Sequence, residues 1–216
     1  MTLIFDWDGT LHNTLQLYGQ SFRIAYEELV QSGYAPPRHY SDQEVSIYLG
    51  MNAPDMWEAF MPRLPQAIKK AASDRIGEEM LKLIDQGCAV LYDGVPALLD
   101  QLHAQGHTLI FLSNCKHAYM EAHRQYFGLD RWFSGYFCCE DYENRPKEDI
   151  FPSIAVRFPG PYLVIGDRAS DFLTARTHGL KSIGCGYGFG TPKELALADF
   201  VVQSCDEIPH CIPAAH

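Results

Sequence analysis

Short runs of apolar residues recur along the chain, separated by stretches whose apolar positions repeat at helical spacing. The runs fall at 3–5 (LIF), 108–112 (TLIFL), 136–138, 162–165 (YLVI), 182–183 and 200–202. Each is too short for a helix, and unbroken apolar runs suit strands covered on both faces. The run at 136–138 is the weakest. Gly106, Gly128 and Gly179 stand where helix C-caps fall. Strands alternating with helices predict a parallel sheet with helices on both sides.

Residues 15–91 break that rhythm. LQLYGQSFRIAYEELVQSG, SDQEVSIYLG, PDMWEAFM and QAIKKAASDRIGEEMLKLIDQG all carry apolar residues at helical spacing, and no strand pattern lies among them. The expected organisation is an α/β core from 1–14 and 92–216, with an insert of about four helices at 15–91. The crossings near 14 and 91 are the candidate hinges. Trp57, Phe60 and Met61 read as interior of the insert.

Composition narrows the function classes. With 216 residues, the chain can hold one large domain or a core with an insert. No apolar run approaches the roughly 18 residues that span a bilayer. The start, MTLIFDWDGT, has no basic n-region, so it does not read as a secretory signal and a cytoplasmic protein is expected. A formal net charge of −10 argues against a nucleic-acid partner. An anionic substrate would need positive charge supplied locally, and a metal ion is the simplest source. The seven cysteines form no Cys-x-x-Cys pair and are expected as free thiols. The nine histidines show no His-Glu-x-x-His pattern, so zinc is not expected.

In an open parallel sheet, ligands bind beyond the carboxyl ends of the strands. After the first run come Asp6, Trp7, Asp8, Gly9 and Thr10; after the second, Ser113 and Asn114. Arg145-Pro146-Lys147 follows the third, and Gly166-Asp167-Arg168-Ala169-Ser170-Asp171 follows the fourth. Asp6 and Asp8, two residues apart, would share one side of an extended chain. Carboxylates at a buried strand mouth need compensation, by a cation, by a chemical role, or by both.

These four sets, in this order, resemble the motifs of the haloacid dehalogenase superfamily of aspartyl-nucleophile phosphotransferases: DxDGT at Asp6 to Thr10, a strand-end Ser at Ser113, Lys147 after a proline, and GDxxxD at Gly166, Asp167 and Asp171. The resemblance covers nearly the whole chain. It implies a Rossmannoid three-layer α/β core with a parallel sheet, and a C1-type α-helical cap where the insert falls. LYDGVPALLDQLHAQG is similar to the stretch after the cap in phosphoglycolate-phosphatase-like members.

The roles implied are also the resemblance's. Asp6 would be the nucleophile that forms an aspartyl phosphate, and Asp8 the acid and then the base. Mg²⁺ would be held by Asp6, the Asp8 backbone carbonyl, Asp167 and Asp171, hard oxygen donors suited to that ion. Ser113 and Lys147 would hold the transferring phosphoryl group, with Gly9, Thr10 and Asn114 completing the phosphate site. The expected function is Mg²⁺-dependent hydrolysis of a small phosphorylated metabolite, phosphoglycolate first, by a monomer or homodimer. A β-phosphoglucomutase-like phosphomutase shares every core residue and is the alternative; a non-catalytic phosphate- or partner-binding member ranks below it. A receiver-like signalling domain does not fit the long insert after strand one.

Several features stay open at this level. Asn13 stands where the family commonly has an acid. Lys116 is a rival to Lys147. Arg168 could touch substrate or pair with a surface acid. Gly184, Gly186, Gly188 and Gly190 (GCGYGFG) read as a mobile loop near the active-site edge.

Overall fold

Every strand of the sheet is parallel to its neighbours. The computed structural model describes residues 1–213. Six strands, β1 (Thr2–Phe5), β2 (Thr108–Ser113), β3 (Phe133–Cys138), β4 (Tyr162–Gly166), β5 (Lys181–Cys185) and β6 (Phe200–Val202), lie in the order β3-β2-β1-β4-β5-β6. The first strand is central, and the order reverses beside it. That makes the carboxyl end of β1 the topological switch point, where an open α/β sheet takes its ligand.

Alternation along the strands sorts the core into two layers. Leu3, Phe5, Leu109, Phe111, Leu163 and Ile165 face one side with α5 (Val95–Ala104) and α6 (His117–Phe127). Ile4, Ile110 and Leu112 face the other, against Ile150, Phe151 and Ile154 of α7 (Lys147–Arg157). Helix α8 (Ala169–Thr177) packs beside α7. Register is even across the centre: Phe5 pairs with Phe111 on one side and Ile165 on the other. The chemistry-bearing residues just after each strand are therefore delivered to one edge.

The insert is helical throughout: α1 (Leu15–Gln31), α2 (Asp42–Ser46), α3 (Ala53–Phe60) and α4 (Gln66–Asp85). Leu17, Phe22, Ala25, Tyr26 and Leu29 form the buried stripe of α1, which lies against Ala72, Ile76 and Met80 of α4. Ser41 and Glu44 close a reciprocal capping box on α2, and the Asn52 side chain accepts from the Asp55 N–H to start α3. Phe60 packs among Phe22, Tyr26 and Tyr40, so the expectation of an aromatic cap interior holds for it.

Three sequence expectations need adjustment. The third strand runs from Phe133, not 136; Ser134 and Gly135 interrupt its apolar run, yet β2 supplies the ladder. Gly184 belongs to β5, so the glycine loop begins later than the sequence indicates. The turn helix α9 (Pro192–Leu195), started by a Thr191–Glu194 capping box, was not expected. The cap glycines stand as read: Gly106, Gly128 and Gly179 all have positive φ. No helix among the described residues is long and apolar enough to cross a membrane, and all seven cysteines are free.

Candidate active site

Strand β1 ends at Phe5, and the chain turns at once. Gly9, at φ +82°, lets residues 6–12 double back, with the Gly9 N–H donating to the His12 carbonyl at 3.0 Å and the Leu11 and His12 N–H groups to the Trp7 carbonyl. The turn gives the two carboxylates different partners, Lys147 for Asp6 and Thr14 with Tyr119 for Asp8.

Asp6 faces the sheet edge. Lys147 Nζ, at the first turn of α7, lies 2.7 Å from Asp6 Oδ1 and 2.6 Å from Asp171 Oδ1. Asp167, Asp171 and Asp6 bring carboxylate oxygens within 4.8 Å of one another, all buried. Asp171 folds back under the end of β4 only because residue 166 is glycine; a Cβ there would meet the Asp171 carboxylate. Its Oδ2 accepts from the Arg168 N–H at 3.0 Å. Asp167 accepts from the Phe189 N–H at 2.7 Å through Oδ2, while its buried Oδ1 has no partner among the described residues.

The electrostatics follow from three carboxylates sharing one ammonium. Burial, then Asp171, pushes the Asp6 carboxyl up to about 7 against the pull of Lys147. Burial, then Asp6 and Asp171, holds Asp167 well above the usual carboxylate range. Burial alone would favour a neutral Lys147, but Asp171 and Asp6 outweigh it and hold the ammonium charged. An orphaned buried carboxylate oxygen and a surplus of hard anionic donors fit a divalent cation.

Asp8 is held apart from that cluster. Its Oδ1 accepts from the Thr14 hydroxyl at 2.5 Å and the Tyr119 hydroxyl at 2.8 Å, with His12 Nδ1 at 3.3 Å. Burial raises its carboxyl, but the His12 and Thr14 hydrogen bonds and the His12 charge more than reverse this, and the net shift is downward. The His123 ring meets that of His12 edge-on with centroids 4.5 Å apart, and donates Nδ1–H to the Tyr119 carbonyl. Burial lowers His123 to about 3, so it is neutral.

Three buried carboxylates thus gather around one ammonium at the switch point of the sheet. Residues 3–185 match the haloacid dehalogenase-like hydrolase model. The chain belongs to that family. A Pseudomonas aeruginosa protein named 5'-nucleotidase is 33% identical over 109 residues, covering 49% of each chain. A Halalkalibacterium halodurans pyrophosphatase, PpaX, is 26% identical over 86% of this chain and 83% of its own. A Vibrio parahaemolyticus phosphoglycolate phosphatase is 24% identical over 95% and 93%. Among solved structures, a predicted phosphatase from Clostridium acetobutylicum superposes with a TM-score of 0.82 at 22% identity, over 96% of this chain and 95% of that one. The hydrolase fold, with its helical cap inserted after β1, is thereby shared.

The remaining residues singled out in the sequence divide into two groups. Ser113 is buried at the last position of β2, beside β1. Lys147 rather than Lys116 meets Asp6; Lys116 reaches across to Asp74 of the cap at 2.9 Å. Thr10 is fully buried, its carbonyl accepting from the Tyr187 hydroxyl at 2.9 Å. Asn114 turns toward the cap instead, donating Nδ2–H to the Gly50 carbonyl at 3.0 Å. Arg168 does the same toward the Leu49 carbonyl and pairs with Glu194 at 2.9 Å. The glycine loop lies at the active-site edge as read; at Gly188 and Gly190 it approaches Asp167 so closely that a Cβ has no room. Tyr119 and His123 were missed. They sit one turn apart on α6, and only an (i, i+4) pairing of aromatic groups marks them.

Proposed function

We propose that this hydrolase is a Mg²⁺-dependent phosphatase that cleaves a small phosphomonoester through an aspartyl phosphate on Asp6. The observation that carries the reading is the split between its first two acids: Asp6 sits on Lys147 inside the carboxylate cluster, and Asp8 sits apart on Thr14 and Tyr119. Two carboxylates in opposed environments are what a two-step displacement with acid–base exchange needs.

Asp6 Oδ attacks phosphorus, and the bond to the leaving oxygen breaks as Asp8 passes it a proton. Asp8 then takes a proton from water, whose oxygen attacks phosphorus and returns Asp6 as a carboxylate. The hydrogen bonds on Asp8 favour its anion at rest, which suits the base step; the incoming anionic phosphate favours its protonated form for the acid step. Lys147 pulls Asp6 toward its ionised form and meets charge developing on the phosphoryl oxygens. Ser113 is a remaining donor at that edge; in the Asp6–Thr10 turn the N–H groups of Asp6, Gly9 and Thr10 already donate within the fold, which leaves those of Trp7 and Asp8. A divalent cation held by Asp6, Asp167, Asp171 and the Asp8 carbonyl would neutralise phosphoryl charge there.

The relatives' names supply the starting panel: phosphoglycolate first, with pyrophosphate and nucleoside monophosphates. Phosphate release is measured with Mg²⁺ and with EDTA. The expected result is Mg²⁺-dependent turnover that Asp6→Asn lowers by at least about a thousandfold. Unchanged turnover in Asp6→Asn would sink the nucleophile assignment. Isomerisation of a sugar phosphate without net phosphate release would instead point to a phosphomutase.

A further inference from the structure

The proton that leaves Asp8 must reach the oxygen of the leaving alcohol, so that alcohol lies on the Asp8 side of the site. On that side is a cavity of about 440 Å³ between core and cap. Asp8, Thr14 and Tyr119 form its floor; Asp6 does not line it. This volume is within the roughly 300–1,000 Å³ range of pockets that enclose drug-sized ligands. The leaving alcohol of phosphoglycolate, a two-carbon acid, would leave most of it to water.

The walls are apolar and aromatic. Tyr18 of α1, Tyr48 and Met51 of the loop between α2 and α3, Trp57 of α3, and Met80 of α4 all line it. Trp57 is fixed in place by its indole N–H, which donates to Ser73 Oγ at 2.5 Å. Planar and polarisable side chains of this kind accept a flat ring.

Four carboxylates, Asp8, Glu58, Asp74 and Glu140, line the cavity against three ammonium groups. The cationic side chains lining it, among the described residues, are Lys69, Lys70 and Lys116. Each is already engaged. Lys69 donates to the Pro62 carbonyl at 3.0 Å and to Glu58 at 3.3 Å. Lys70 and Lys116 both donate to Asp74, at 2.6 and 2.9 Å. Lys70 and Lys116 share the one Asp74 carboxylate, but the lining as a whole carries more carboxylates than ammonium groups, Glu140 among them, so a carboxylate or second phosphate on the leaving group would enter a net-negative wall. An anion enclosed without a cation of its own is disfavoured.

We infer that the preferred substrate is a phosphomonoester of an uncharged alcohol bearing a flat ring, of nucleoside size, rather than one whose leaving group carries a carboxylate or a second phosphate. The inference rests on the phosphatase reading above and specifies the substrate class for the same site.

The test compares kcat/KM, with Mg²⁺, for nucleoside 5'-monophosphates, benzyl phosphate, phosphoglycolate and pyrophosphate. At least a tenfold preference for a ring-bearing substrate over phosphoglycolate is expected; the nucleotide and benzyl arms tell which ring source is used. A second measurement probes the charge argument. Asp74→Asn releases Lys70 and Lys116, and is expected to narrow the preference at least threefold through a lower KM for phosphoglycolate. Equal or better turnover of phosphoglycolate or pyrophosphate by the unaltered protein, or a ratio that Asp74→Asn does not move, would overturn the inference and leave the phosphatase reading standing. Release of phosphate from none of the four would overturn that reading, and the inference with it.

Discussion

Lys147 Nζ and Asp6 Oδ1 lie 2.7 Å apart, both side chains almost wholly buried, with Asp171 Oδ1 closing the group at 2.6 Å from the same ammonium. Removing the cation leaves two carboxylates facing each other without compensation. Lys147→Met is expected to destabilise the metal-free protein by on the order of 3 kcal/mol at neutral pH, read as a lowered denaturant midpoint. Turnover should fall by about a hundredfold or more. A midpoint equal to that of the unaltered protein would mean that Asp6 simply takes up a proton in its place.

The same cluster sets a pH dependence for the metal-free protein. Asp6 is raised from its ordinary 3.8 to about 7, and Asp167 is raised too, so the folded state binds more protons than the unfolded chain between those values. Stability contributed by these groups is therefore full below about pH 4 and declines as pH rises toward 7. Asp8, lowered, works in the opposite sense: its contribution is lost as pH falls. Asp8 is ionised in both states above pH 5 and adds no slope there; His123, lowered from 6.5 to about 3, opposes the trend up to about pH 6.5, so with Asp6 and Asp167 against it the melting temperature in EDTA should fall from pH 5 to about pH 7, most steeply above pH 6.5. Mg²⁺ should reverse the trend, because binding takes the deprotonated acids, and its stabilisation should grow with pH. Melting curves with and without the ion, across that window, check both signs.

Tyr119→Phe removes one of the two hydroxyl donors on Asp8 and leaves the ring packed against His123. The expected loss is about 1 kcal/mol, or roughly fivefold in kcat, with KM little changed. A change in KM alone would place Tyr119 in substrate binding rather than in holding Asp8.

Gly50 occupies φ +81°, and a Cβ there would stand 2.8 Å from Arg168 Cγ. Gly50→Ala is expected to cost about 1–2 kcal/mol through the backbone alone. It should also loosen the loop between α2 and α3 over the site, raising KM. Arg168→Ala, which removes the guanidinium that reaches the Leu49 carbonyl, should raise KM without the backbone penalty. Protease cleavage within the loop reports the loosening directly.

Much of this site could be read from the chain because the sheet converts sequence order into position. Asp6, Ser113 and Asp167 follow apolar runs that become neighbouring parallel strands, so residues more than a hundred positions apart meet at one edge. Lys147 is legible for a similar reason, as the first residue of the helix after β3. What the pattern hides is partnership. After the turn at Phe5, Asp6 meets Lys147 while Asp8 meets Thr14 and Tyr119, and nothing in DWDGT states this. Tyr119 and His123 are hidden because they act from the flank of a helix, 111 residues from Asp8 in the case of Tyr119. Asn114 and Arg168 sit in motif positions, yet their side chains serve the core–cap contact, which only the folded placement of Leu49 and Gly50 reveals.

Both of those contacts end on main-chain carbonyls. Every amino acid offers that acceptor, so the core can hold the cap loop whatever side chains the loop carries. Tyr48 and Met51, which flank the two carbonyls and line the leaving-group cavity, can then be exchanged without unfastening the loop. The attachment and the selectivity are written in separate alphabets, backbone for one and side chain for the other. A lineage of such enzymes can drift from one alcohol to another by editing only the second.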